Sequence, residues 1–181
     1  MTDQRVCVIA EIGVNHNGSA ALARQLVEAA AAAGADAVKF QIFRAESLVA
    51  GDAPKARYQR LTTDGAESQS GMLKRLELSE ADFTELHAYC GKIGVEFMAS
   101  PFDPASVDFL ARLGVSRLKL GSGEITNAQL LLAAARTGLP VILSTGMSSL
   151  GEVEAALAVL AFGYLGADVP PRSTAFRAAY E

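Results

Sequence analysis

The 181-residue sequence has no run of like charges and no excess of basic residues: 16 Lys and Arg stand against 20 Asp and Glu, a net charge of −4. A nucleic-acid surface needs a clustered basic face, so that class of partner is excluded. Long apolar runs are missing too. None approaches the ~20 residues that span a bilayer, and the Ala-rich LVEAAAAAG segment is short and follows charged positions, so it reads as a helix packed on a sheet. MTDQR leads straight into an apolar strand with no leader pattern, and the expected compartment is the cytoplasm. The two cysteines, Cys7 and Cys90, lie in apolar or helical patterns and are expected as reduced, buried thiols. A disulfide or metal pair is not expected at this spacing. Histidine is as scarce, with His16 and His87 alone.

Half of the residues are hydrophobic, a composition that suits one globular domain of ordinary size. A loose repeat of helix, glycine and apolar strand recurs as AAAGADAVKF, GKIGVEFMAS, ARLGVSRLKL and ARTGLPVILS. Gly34, Gly94, Gly114 and Gly138 stand where helices end in a left-handed residue. The strands are near-continuous apolar runs, as in parallel sheets buried on both faces. Helices are predicted over roughly 19–33, 79–93, 104–113, 126–137 and 149–162. Ser79 with Asp82 resembles a capping box, Asp103 reads as a cap, and Pro104 sits at a first helical position. Alternating strands and helices predict an α/β fold with a parallel sheet. Residues 44–78 break this rhythm as a long polar connection, either a loop that covers substrate or a plain insertion.

Each strand runs out into polar residues. VCVIA stops at Glu11, AVKFQIF carries Lys39 and Gln41, and VEFMAS stops at Ser100. RLKLGSGE carries Lys119, Ser122 and Glu124, and VILSTG stops at Ser144. In a parallel sheet these ends share one rim. A lysine inside an apolar strand is costly unless it is paired or meets an anion. Lys39 and Lys119 therefore read as phosphate or carboxylate ligands, as partners of Glu11 or Glu124, or as Schiff-base lysines. KLGSGEIT and LSTGMSS each put a glycine-containing turn before a helix, an anion-binding device. Glu11 reads as an acid with a chemical task or as a cap, and His16 as turn filler.

These segments resemble the sialic acid synthase family. IAEIGVNHNGS, DAVKFQIF, SQSGMLKRLELS, FMASPFD, KLGSGEITN and PVILSTGMSSL match it in order and spacing over nearly all of residues 6–160. Legionaminic acid synthases share most of these motifs. The resemblance implies a TIM-type (β/α)8 barrel, here about five or six βα units over residues 1–162. Residues 163–181 form a divergent tail in which the pattern lapses. It further implies condensation of phosphoenolpyruvate with an N-acetylated hexosamine, such as N-acetylmannosamine, to a nine-carbon 2-keto acid with release of phosphate. By the same resemblance, Lys39, Ser100, Lys119, Ser122 and Ser144 hold phosphoenolpyruvate, Gln41 and Glu124 contact the amino sugar, and Glu11 is the catalytic acid that handles water or proton at the new C2. A divalent cation, Mn or Mg, would polarise the aldehyde. The family's metal-binding histidines belong to the half of the barrel beyond the matched residues, so the ligands are expected outside this chain. A truncated chain, fragment or frameshifted end would give such a pattern; the alternative readings are an inactive or ligand-binding remnant of such a synthase and a Schiff-base aldolase or lyase on the same barrel. A homodimer is expected.

Overall fold

The computed structural model describes residues 6–48, 68–166 and 168–180. Along the chain run β1 (Ile9–Gly13), α1 (Ala20–Ala32), β2 (Ala37–Ile42), α2 (Ala45–Leu48), α3 (Gln69–Leu76), α4 (Glu80–Ile93) and β3 (Glu96–Pro101). There follow α5 (Pro104–Leu113), β4 (Leu118–Leu120), a 3-10 turn (Ser122–Glu124), α6 (Ala128–Arg136), β5 (Val141–Leu143), α7 (Leu150–Leu165) and α8 (Ser173–Tyr180). One sheet has the order β1-β2-β3, and β4 pairs with β5 in a second. β1 and β2 are parallel, as are β4 and β5. The α/β alternation and the parallel pairing are as the apolar runs predict.

The helix starts follow from single side chains. Ser19 accepts the Leu22 N–H at 3.2 Å and Asp103 accepts the Ser106 N–H at 2.8 Å, with Pro104 opening α5. Ser79 and Asp82 form the predicted reciprocal box, and Ser149 with Glu152 forms a second. Each such cap contributes about 1 kcal/mol. In the second box the Ser149 N–H and hydroxyl hold the Glu152 carboxyl below the usual carboxylate range. The four predicted helix-end glycines all have φ between +75° and +85°.

Two compact units divide the chain, Met1–Phe97 and Met98–Glu181. The first is organised on aromatic rings: Phe40 stacks on Phe97 at 5.4 Å and meets the edge of Phe83 at 6.1 Å. In the second, Leu118 and Leu120 of β4, Leu110 of α5 and Leu130 and Leu131 of α6 are buried. Burial of such a side chain stabilises by about 1.5–3 kcal/mol. Gly163 of α7 lies so near α6 that a Cβ there would sit 2.5 Å from the Ala135 Cβ. Phe176 of α8 meets the Phe162 ring edge-on at 5.1 Å, which ties the last helix to α7.

Three expectations need correction. The polar connection over 44–78 contains helices, α2 and α3, while its stretch 49–67 lies outside the described residues. α3 escapes a periodicity reading because it is short and polar; of its side chains Met72 alone is buried. It is set instead by the Ser68 cap and by Glu77, which accepts the Ala45 N–H at 2.9 Å and pairs with Lys74 at 2.8 Å. β1 does not stop at Glu11 but runs through it to Gly13. Cys7 is exposed rather than buried. Cys90 is buried as expected, and burial pushes its thiol up to about 11. Among the described residues, no helix is long and apolar enough to cross a membrane.

Candidate active site

In the first unit the β1–β2 register sets Glu11 opposite Lys39. Their side chains form an ion pair, Lys39 Nζ with Glu11 Oε2. The lysine is 14% exposed and the glutamate 49%, so water screens one partner and the pair contributes on the order of 1 kcal/mol at most. Of the alternatives for Lys39, internal pairing with Glu11 is the one the structure shows. Gln41, two residues along β2, points to the same face. A Cβ placed on Gly13 would lie 3.1 Å from Glu11 Oε1 and 3.5 Å from Gln41 Nε2, so both polar heads gather over that glycine. Glu11, Lys39 and Gln41 form one cluster.

Beyond them the β1–α1 turn holds a residue that sequence reasoning undervalued. His16 is 1% exposed and packs 6.1 Å from the Phe40 ring. Its Nδ1 accepts the Gly18 N–H at 3.1 Å, which places the proton on Nε2. That Nε2 is buried without a hydrogen-bond partner among the described residues. Nothing in the polar string VNHNGS distinguishes a buried ring from an exposed one. Burial holds the imidazole below its ordinary 6.5. A native value below the unfolded one means that the unfolded chain takes the proton first on acidification. Stability from this group is complete above pH 6.5 and is lost as pH falls through the lower native value. Thermal unfolding followed over about pH 5–8 is expected to show a midpoint that drops on the acid side. In His16→Asn, which keeps an acceptor for Gly18, that component should vanish; an unchanged acid slope would assign it to another group.

In the second unit the geometry centres on one carbonyl. Leu120 O accepts the Lys119 ammonium at 2.8 Å and the Ser144 N–H at 3.0 Å. Lys119 and Ser144 thus meet where β4 and β5 end. Ser122 lies over the next turn: a Cβ placed on Gly146 would be 3.5 Å from its hydroxyl oxygen. The β4–α6 turn Ser122–Glu124 winds tightly, with the Glu124 N–H on Gly121 O at 3.0 Å, and Glu124 closes on Asn127 at 2.8 Å. Lys119 and Ser144 meet at Leu120 O, with Ser122 beside Gly146 and Glu124 two residues beyond Ser122. Ser100 is buried near the end of β3. Asp103 makes its predicted cap.

Among the described residues, no group of three or more His, Cys, Asp or Glu side chains is placed to hold a metal ion. His16 is buried with Nδ1 already engaged. The residues described here therefore do not make a site for the divalent cation implied by the resemblance. A groove of about 740 Å³ lies between α7 and α8, lined by Ala155, Ala158, Val159, Phe176 and Arg177 among others. No predicted site residue borders it.

Comparison with known proteins gives a consistent result. A profile described as the NeuB family matches residues 26–174. The chain is 51% identical over 150 residues to the N,N'-diacetyllegionaminic acid synthase of Legionella pneumophila, covering 83% of this chain and 42% of that protein. It is 47% identical to the enzyme of the same name from Campylobacter jejuni, covering 87% of this chain and 47% of the relative. The N-acetylneuraminate-9-phosphate synthase of Drosophila melanogaster is 38% identical, with 82% and 40% covered. The chain thus spans less than half the length of these curated relatives. Among solved structures, the N-acetylneuraminic acid (sialic acid) synthetase of Leptospira borgpetersenii, in complex with citrate, superposes with a TM-score of 0.74 at 34% identity, covering 88% of this chain and 51% of that one. A DAHP synthase of Thermotoga maritima, at 15% identity and TM-score 0.60 over 87% and 39% of the two chains, shares the fold alone. The fold is that of a TIM-type (β/α)8 barrel, represented here in part.

Proposed function

The chain belongs to the NeuB family, and on that premise we propose that it is part of a cytoplasmic sialic-acid-type synthase. The reaction joins phosphoenolpyruvate to the open-chain form of an N-acetylated hexosamine and yields a nine-carbon 2-keto acid. C3 of phosphoenolpyruvate bonds to the aldehyde carbon, and the aldehyde oxygen takes up a proton. Water adds at the cationic C2 and gives up a proton. The resulting hemiketal phosphate then collapses: the C2–O bond to phosphorus breaks, C2 becomes a ketone, and phosphate leaves with the hydroxyl proton.

The observation that carries this reading is the meeting of the Lys119 ammonium and the Ser144 N–H at Leu120 O, beside Ser122. A cation and two hydroxyl residues at the C-terminal ends of adjacent parallel strands suit a phosphorylated carboxylate. Lys119, Ser122 and Ser144 hold phosphoenolpyruvate in this proposal, and Lys39 and Ser100 take the same ligand by family resemblance. Glu11 receives the proton of the attacking water, which requires that Lys39 exchange Glu11 for the ligand. Gln41 and Glu124 face the amino sugar. A homodimer belongs to the same proposal, and light scattering on the purified chain decides it.

Phosphoenolpyruvate at a hundredfold excess over its Kd is expected to raise the melting temperature by roughly 5–10 °C. No shift would favour the reading of an inactive remnant. A covalent adduct on Lys39 or Lys119, trapped by borohydride with pyruvate, would replace the proposal with a Schiff-base aldolase.

A further inference from the structure

Asn127 uses both ends of its side-chain amide. Oδ1 accepts the Leu130 N–H at 3.1 Å and caps α6, while Nδ2 donates to Glu124 Oε2 at 2.8 Å. The orientation is unambiguous, because a backbone N–H can meet only the amide oxygen and a carboxylate only the NH2. A second bond, from the Asn127 backbone N–H to Glu124 O at 2.9 Å, closes the turn between them. One rigid amide thus couples a nine-residue helix to a carboxylate in the 3-10 turn. With Oε2 engaged and both groups part-buried, Oε1 is the oxygen left to meet a ligand.

We propose that Asn127 is a positioning residue that fixes Glu124 so that its Oε1 accepts a hydroxyl or acetamido N–H of the amino sugar, a role that rests on the synthase reading above. Sugar binding then depends on a residue that does not itself touch the sugar. Hydrogen bonds to charged groups contribute about 1.5–3 kcal/mol, so loss of the Asn127 donor should show as a large change in sugar affinity with little change in fold.

Asn127→Asp separates the two halves of the amide: aspartate is an equally good cap but cannot donate to Glu124 and repels it. Calorimetry is done on the 181-residue chain saturated with phosphoenolpyruvate, with N-acetylmannosamine as the probe. The expected result is a melting temperature and phosphoenolpyruvate affinity like those of the parent, with N-acetylmannosamine weakened roughly 10- to 100-fold. Glu124→Gln should weaken the sugar as well. If Glu124→Gln weakens it and Asn127→Asp does not, the positioning role is overturned and the synthase reading stands. If Glu124→Gln has no effect, or the parent does not bind the sugar, the assignment of sugar to Glu124 is overturned. A ligand-free readout stands beside these: the Asn127 side-chain amide protons should give slowly exchanging NMR signals that move in Glu124→Gln. Identical signals in the two proteins would overturn the coupling whatever the sugar does.

Discussion

On the proposed synthase reading, Lys119→Ala is expected to bind phosphoenolpyruvate roughly 100-fold or more weakly than the parent, with the circular dichroism spectrum unchanged. The expectation follows from the position of the ammonium. Lys119 lies in the middle of β4 between two fully buried leucines, its head turned to Leu120 O. A ligand phosphate or carboxylate that reaches the strand ends meets a partly desolvated cation. Removal of one member of such a buried charge pair costs about 2–5 kcal/mol. The methylenes lost on truncation are half-buried, so the sheet should survive. Titration calorimetry decides the matter: unchanged affinity would reduce Lys119 to a backbone tether for Leu120.

Gly18→Ala should be among the most destabilising single-methyl changes in the first unit. Gly18 has φ +76°, and a Cβ there would stand 2.1 Å from the Arg75 carbonyl oxygen. Two penalties combine: an L side chain in left-handed backbone costs about 1–2 kcal/mol, and overpacking against a main chain that cannot turn aside costs about 1–3 kcal/mol. A loss of about 3 kcal/mol corresponds to a drop of roughly 6–12 °C in melting temperature for a chain of this size. The control is Gly91→Ala in α4, where nothing lies within 4 Å of the added methyl; there the gain in helix propensity, up to about 1 kcal/mol, should appear. A Gly18→Ala midpoint equal to the parent's would show that the β1–α1 turn and the end of α3 are not in contact.

That contact was invisible in the sequence, and the reason is physical. Asn17-Gly18 announces a turn through its backbone preferences, and the turn is there. What packs against it comes from a segment more than fifty residues away in a stretch without apolar periodicity. The strands were legible because burial on both faces writes Val, Ile, Leu and Phe in unbroken runs. Helix starts were legible because a cap is an interaction between residues three apart. The same logic separates the parts of the candidate site. Lys39 and Lys119 stand out as charges inside apolar strands, a local contradiction that signals a partner or ligand. Which partner is a matter of register, and the β1–β2 register gives Lys39 to Glu11. Asn127 could be placed at a helix start, but its second bond depends on how the 3-10 turn folds back. His16 was misjudged because its burial is imposed by Phe40 from the neighbouring strand.

The close approach at Gly163 carries an evolutionary consequence. A Cβ at 163 and the Ala135 Cβ would claim the same space, with Leu132 lining the remainder. A methyl cannot rotate out of the way, so the two positions share a single allowance of one side-chain carbon. A lineage can carry that carbon on α6 or on α7, but not on both while the helices keep this spacing. Positions 135 and 163 are therefore expected to vary as a pair, each residue's tolerance of change set by the identity of the other.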